Sequence, residues 1–216
     1  MDKDKIDKKD HILDVAERVF SDVGFDGAST RMISGEAGVN MAMLNYYFGS
    51  KEGLFLAIFE RRIATFRNLL DGINNDVNTN AWEKLEIYID TWIERLFNNN
   101  CFHKMLYQEL SMRKRGDLSD KINTILIGNV REFQKILQQG INEGTFNKDI
   151  DLDMITSTIF GMKNYIMNTP YVSSTMFGFD VLDEKSATVK FKPRLKQFLI
   201  TLLKPYLVKE YDHSNK

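Results

Sequence analysis

The run from Leu118 to Asn142 fixes the fold class more firmly than any other stretch. Ile122, Ile125, Leu126, Val130, Phe133, Ile136, Leu137 and Ile141 recur at helical steps, so on a helix they share one side. The same period runs along nearly the whole chain, and no stretch alternates with the two-residue period of a strand. Three prolines, Pro170, Pro193 and Pro205, leave the helical runs almost unbroken. The sequence predicts an all-α protein.

A first helix is predicted from Ile6 to Val23, with Ile12, Ala16, Val19, Phe20 and Val23 on one face and Gly24 as its C-terminal cap. Thr30 or Ser29 caps a second, Arg31 to Ala37. Gly38 ends it. Asn40 caps a third, Met41 to Tyr47, and Ser50 a fourth that reaches about Leu70. Two short helices around Gly38-Val39-Asn40 form a helix-turn-helix signature, with Ile33, Ala37, Val39, Leu44 and Phe48 as its inner surface. The polar run DGINNDVNTN, residues 71–80, reads as a domain boundary. The expected organisation is a three-helix domain (1–50), a connecting helix (51–72) and a larger helical domain (73–216). In the last, helices are expected at Trp82–Asn98, Phe102–Arg113, Leu118–Asn142, Leu152–Met167 and Pro193–Val208, with an irregular connection over 169–191.

The segment VNMAMLNYYFGSKEGLF, residues 39–55, carries the functional signal. Its short helix is too brief to be stable alone, and Leu44 and Phe48 suffice to dock it. Met41, Ala42, Asn45 and Tyr46 then point outward, as on a helix that enters the DNA major groove. Lys51 follows the cap Ser50, where the helix dipole disfavours a cation unless a phosphate gathers there too. Thr30 and Tyr47 offer hydroxyls to the same backbone, and Arg31 can reach a base or a phosphate. Each residue also has a plainer reading: core aromatics for the tyrosines, a solvated side chain for Lys51, caps for Asn40 and Thr30. The ordered combination favours DNA.

In order and spacing, STRMISGEAGVNMAMLNYYFGSKEGLF resembles the N-terminal domain of TetR-family (tetracycline-repressor-like) transcriptional regulators. The matching positions are Thr30, Ile33-Ser34, Ala37-Gly38-Val39, Leu44, Tyr47-Phe48, Ser50-Lys51-Glu52 and Leu54, within about residues 10–60. The resemblance implies a homodimeric, ligand-responsive repressor on a palindromic operator. It also implies that Thr30, Asn45, Tyr47 and Lys51 touch phosphates, and that Arg31, Met41, Ala42 and Tyr46 meet bases. Ser34 departs from the usual alanine and Asn45 from a common tyrosine. With Met41 and Met43 at the front of the helix, base readout is expected to lean on thymine methyls, Asn45, Arg31 and DNA shape.

Charge does not advertise the function. The chain has a net charge of −1, and residues 1–72 hold 10 Lys and Arg against 12 Asp and Glu. Between Ser29 and Lys51, however, Glu36 is the sole acid. The N-terminal Lys3, Lys5, Lys8 and Lys9 either follow a phosphate backbone or form a solvated end. One cysteine, Cys101, leaves no internal disulfide and suits a reducing cytoplasm. No apolar run approaches the ~20 residues of a membrane span, and the N-terminus lacks the apolar core of a signal peptide.

For an effector, Trp92, His103, Tyr107, Gln108 and Asn129 are the candidate lining of a mostly apolar pocket. The apolar stripes Ile155, Ile159, Met162, Ile166 and Leu195, Phe198, Leu199, Leu202, Leu203, Tyr206 are expected either to bury a dimer interface or to pack within one subunit. An enzyme is the main rival class. His11, His103 and His213 are scattered, and no phosphate loop or nucleophile motif accompanies them, so no catalytic residue, metal or cofactor is expected. A ligand-free DNA-binding dimer for chromosome or division control and a helical protein adaptor remain as alternatives.

Overall fold

The computed structural model describes residues 3–97, 100–111 and 116–208; the expected helix ends at Asn98 and Arg113, and His213, lie outside them. Helices account for the architecture: α1 (Lys3–Gly27), α2 (Thr30–Glu36), α3 (Met41–Phe48), α4 (Lys51–Asn75), α5 (Ala81–Phe97), α6 (Asn100–Ser111), α7 (Asp117–Asn142), α8 (Leu152–Asn168), α9 (Pro170–Phe177), α10 (Glu184–Ser186) and α11 (Lys192–Leu207). A π-helical turn, Ala187–Phe191, leads into α11. Among the described residues there is no strand, only a single bridge between Phe146 and Val208.

Two compact units emerge. The first comprises Met1–Phe66 and Asn100–Gly128, the second Arg67–Asn99 and Asn129–Lys216. Helices α4 and α7 each belong to both. The first unit therefore includes α6, which the sequence reading assigned to the larger domain. Phe102 and Met105 of α6 join the core of Ile12, Phe20, Phe55 and Phe59, with Phe59 and Phe102 rings 5.4 Å apart. Ion pairs bind α1 to α4 beside this core. Arg62 holds the Glu17 carboxylate through two nitrogens, at 2.7 and 2.9 Å, and Arg61 reaches Asp14 at 2.7 Å. Glu17 is only 3% exposed, so its charge relies on these partners.

In the second unit, α5 and α7 run antiparallel. Lys84 Nζ donates to Gln139 Oε1 (2.9 Å), and one turn on the Tyr88 ring stacks on Phe133 with centroids 4.3 Å apart. Helix α7 also meets α8, where Gln134 Nε2 donates to Asp153 Oδ1 (2.8 Å) and Thr156 Oγ1 (3.4 Å). Two expectations change here. The connection over 169–191 is largely helical: Pro170 opens α9 and Gly178 closes it in the left-handed conformation. Of the apolar stripes, Ile155, Ile159, Ile166, Leu195, Leu199 and Leu203 are already buried within their own subunit, which removes them as free surface.

Candidate nucleic-acid interface

Local chemistry builds the helix-turn-helix. Ser29, not Thr30, caps α2, its hydroxyl accepting from Met32 N at 3.1 Å. Gly38 takes φ 65° at the turn, where a side chain would be strained. Asn40 caps α3 by accepting from Met43 N at 2.8 Å. The buried Ser34 hydroxyl is satisfied by the Arg31 carbonyl at 3.1 Å, so a serine is accommodated at that packed position.

Helix α3 shows two sides. Leu44 is fully buried, while Tyr47 and Phe48 are half-buried. Met41, Ala42, Asn45 and Tyr46 face solvent, with Tyr46 77% exposed and its ring set edge-on to Tyr47 at 5.3 Å. Arg31 on α2 is exposed, and Thr30 half-buried. The expected reading surface is thus assembled on two short helices fixed from behind by apolar packing. Lys8 and Lys9 are exposed, Lys9 lying 5.9 Å from the Phe48 ring centre; the side chains of Lys3 and Lys5 lie outside the described residues.

Lys51 requires a correction. Its ammonium is not held out as a free cation but donates to the carbonyls of Phe25 and Ala28, both at 3.0 Å, and lies 4.4 Å from the Phe25 ring centre. Those carbonyls belong to the short turn that follows the break in α1 at Gly24, whose backbone leaves the helical region at φ 74°, and open acceptors there favour a positive charge. The start of α4 is also occupied. Ser50 Oγ accepts from Gly53 N at 3.0 Å, and backbone N–H and Ser50 hydroxyl contacts hold the Glu52 carboxyl below its usual pKa.

The candidate effector residues separate. His103, Tyr107 and Gln108 lie on α6 of the first unit, Trp92 and Asn129 in the second. Trp92 is 4% exposed and packs edge-on against Phe160 of α8, ring centres 6.4 Å apart. Each of Trp92 and Asn129 lies one turn beyond the Tyr88–Phe133 stack on antiparallel helices, so both sit at one level. Trp92 Nε1 and Asn129 Oδ1 are buried and hydrogen-bond to none of the described residues. Three residues past Phe160 stands Lys163, which the sequence reading missed. Burial, then the nearby Arg95 charge, pushes its pKa down to about 8. A lysine on an amphipathic helix gives no sign in sequence that its head will be desolvated.

These features define a helix-turn-helix DNA-binding regulator with a second helical unit. The chain belongs to the tetR family of bacterial regulatory proteins: the family's N-terminal model matches residues 12–58, and that of the YsiA-like protein C-terminal region matches residues 59–190. It is a helix-turn-helix transcriptional regulator of that family. It is 26% identical over 162 residues to the fatty acid metabolism regulator protein of Bacillus subtilis, covering 74% of this chain and 81% of that one. With the transcriptional repressor NicS of Pseudomonas putida it shares 28% over 182 residues, covering 82% and 84%. The solved structure of the regulator FadR from Bacillus subtilis in complex with stearoyl-CoA shares the fold, with a TM-score of 0.67 at 22% identity over 88% of this chain and 97% of that one.

Proposed function

We propose that two copies of the chain bind a palindromic operator, each laying α3 in the major groove, and that an effector in the second unit releases them. The observation that carries this reading is the exposed set Arg31, Met41, Ala42, Asn45 and Tyr46 on helices whose opposite sides are buried. Asn45 and Arg31 supply base hydrogen bonds, and Met41 and Ala42 meet thymine methyls. Thr30 and Tyr47 contact phosphates, while Lys51 acts mainly by fixing the start of α4.

Dimerisation uses the sides of α8 and α11 that the single chain leaves open: Met154 and Tyr165 on α8, Phe198, Leu202 and Tyr206 on α11, with Met162 half-buried beside them. A twofold axis would bury these apolar side chains against their own copies. Release would act through α4, which is continuous from Lys51 to Asn75 and belongs to both units. An effector that favours a conformation with the two α3 helices off the roughly 34–36 Å groove spacing lowers operator affinity.

The test is selection of bound duplexes from a random pool at moderate salt, with Tyr46→Ala and Arg31→Ala in parallel. Recovery of a palindrome by the native protein, weakened in both variants, supports the reading. Enrichment of no sequence, with the protein dimeric and folded, rejects operator binding by the free protein.

A further inference from the structure

Helix α1 divides its charges between two sides. Asp10, Asp14 and Glu17 follow one another at steps of four and three, and all three meet arginines of α4. Asp10 lies 3.6 Å and Asp14 2.7 Å from Arg61, and Glu17 lies 2.7 Å from Arg62. Lys9 stands elsewhere on the helix. It falls one turn before Leu13, on the row that continues through the buried Ala16 and Phe20. Its neighbours at three and four residues, Lys5, Ile6, Ile12 and Leu13, include no acid. Lys9 is exposed and forms no ion pair among the described residues.

What Lys9 meets is the end of α3. Its ammonium lies 5.9 Å from the Phe48 ring centre, within the range at which a cation is attracted to an aromatic ring. Phe48 is half-buried, four residues after the buried Leu44 and three after the exposed Asn45. Its ring therefore marks the edge between the docked and the outward sides of α3. The apolar stem of Lys9 leads to that edge and leaves the charge in water. A helix with its side chains is about 10–12 Å across and the major groove about 12 Å wide, so a helix laid in the groove has phosphates along its flanks. A cation on the flank of α3 stands at that phosphate wall. Lys51 is turned away from it, toward the carbonyls of Phe25 and Ala28.

We propose that Lys9, steadied against Phe48, is the lysine that neutralises an operator phosphate beside α3, in the role that the sequence gives to Lys51. This rests on the operator reading above and adds the source of its charge. Thr30 and Tyr47 offer neutral hydroxyls to the backbone, and Lys9 brings the cation from a different helix. The acids of α1 do not cancel it, because they are engaged on the side that meets α4.

The experiment measures the affinity of the full chain for the palindromic duplex recovered by selection, and for a random-sequence duplex of equal length, from about 50 to 200 mM salt. Native protein is compared with Lys9→Gln, Lys9→Arg and Lys148→Gln; Lys148 is an exposed lysine of the second unit and controls for overall charge. In Lys9→Gln the slope of log affinity against log salt should fall by about one for each bound chain, with unfolding by denaturant unchanged. Lys9→Arg and Lys148→Gln should keep the native slope. A native slope in Lys9→Gln overturns the proposal, and if stability drops as well, the lysine serves only to cover Phe48. An equal fall in Lys148→Gln also overturns it, since net charge alone then accounts for the effect. If the native protein binds the two duplexes alike, the operator reading fails, while the slope on the random duplex still decides the role of Lys9. Binding to neither duplex rejects both.

Discussion

The ammonium of Lys51 lies 3.0 Å from the carbonyl oxygen of Phe25, 26 residues earlier in the chain. With the second bond to Ala28, it anchors the first turn of α4 to the segment that follows Gly24. Hydrogen bonds from a charged donor contribute about 1.5–3 kcal/mol.

Lys51→Met should therefore lower the stability of the protein by about 2 kcal/mol, measured by denaturant unfolding. Its operator affinity should fall while the slope of log affinity against log salt stays at the native value. A phosphate-binding lysine would instead reduce that slope by about one when removed. A reduced slope at unchanged stability would restore Lys51 to the DNA contacts.

Gly53 offers a second test. A Cβ added there would stand 2.1 Å from the Phe48 carbonyl oxygen, a backbone atom that cannot swing aside. Gly53→Ala should push α3 from its place against α4, costing about 2 kcal/mol of stability and weakening operator binding more than effector binding. Native operator affinity in this variant would mean that the turn before α4 yields freely.

The Glu17–Arg62 pair predicts a stability effect away from DNA. Glu17→Gln keeps the shape but removes the carboxylate that Arg62 grips through two nitrogens, at a cost of about 3 kcal/mol. A double cycle with Arg62→Met isolates the coupling. A coupling near zero would show that solvent replaces Glu17 at this edge of the core.

For Lys163 the pH dependence has a definite sign. Its pKa of about 8 is below the ordinary lysine value of 10.5 because burial, then Arg95, disfavours the ammonium. In the unliganded protein the folded state holds fewer protons than the unfolded one between these pKa values. The lysine's contribution to stability therefore rises from pH 8 toward 10.5. Lys163→Met should flatten this rise, followed by denaturant unfolding at about pH 7 to 10.

Features set by neighbours in sequence were legible from the start. Asn40 and Ser50 cap α3 and α4 as expected, because a cap needs only a short polar side chain and the amides three residues on. The outward set on α3 follows from a 3.6-residue period and the need to bury Leu44. Features set by distant partners were not. Nothing in the period of α6 says that it packs with α1, and nothing near Lys51 names Phe25. The stripes on α8 and α11 were real apolar faces, yet periodicity reports only that a face is covered. It does not say whether the same chain or another covers it, and Ile159 and Leu199 prove to be covered from within. Helix α9 is only eight residues long and carries the polar run Ser173-Ser174-Thr175 after Pro170, a composition that reads as a loop.

With Lys51 turned inward, Arg31 is the one cation between Ser29 and Lys51 left to face a duplex. Attraction to random DNA comes chiefly from phosphate neutralisation, so beyond Arg31 any grip on non-cognate DNA near α3 should come from the exposed Lys8 and Lys9. If two copies hold an operator as proposed, so few cations should make the search one of many brief encounters from solution, with little scanning along the duplex. How fast a vacated promoter is silenced again becomes a matter of how many copies the cell keeps.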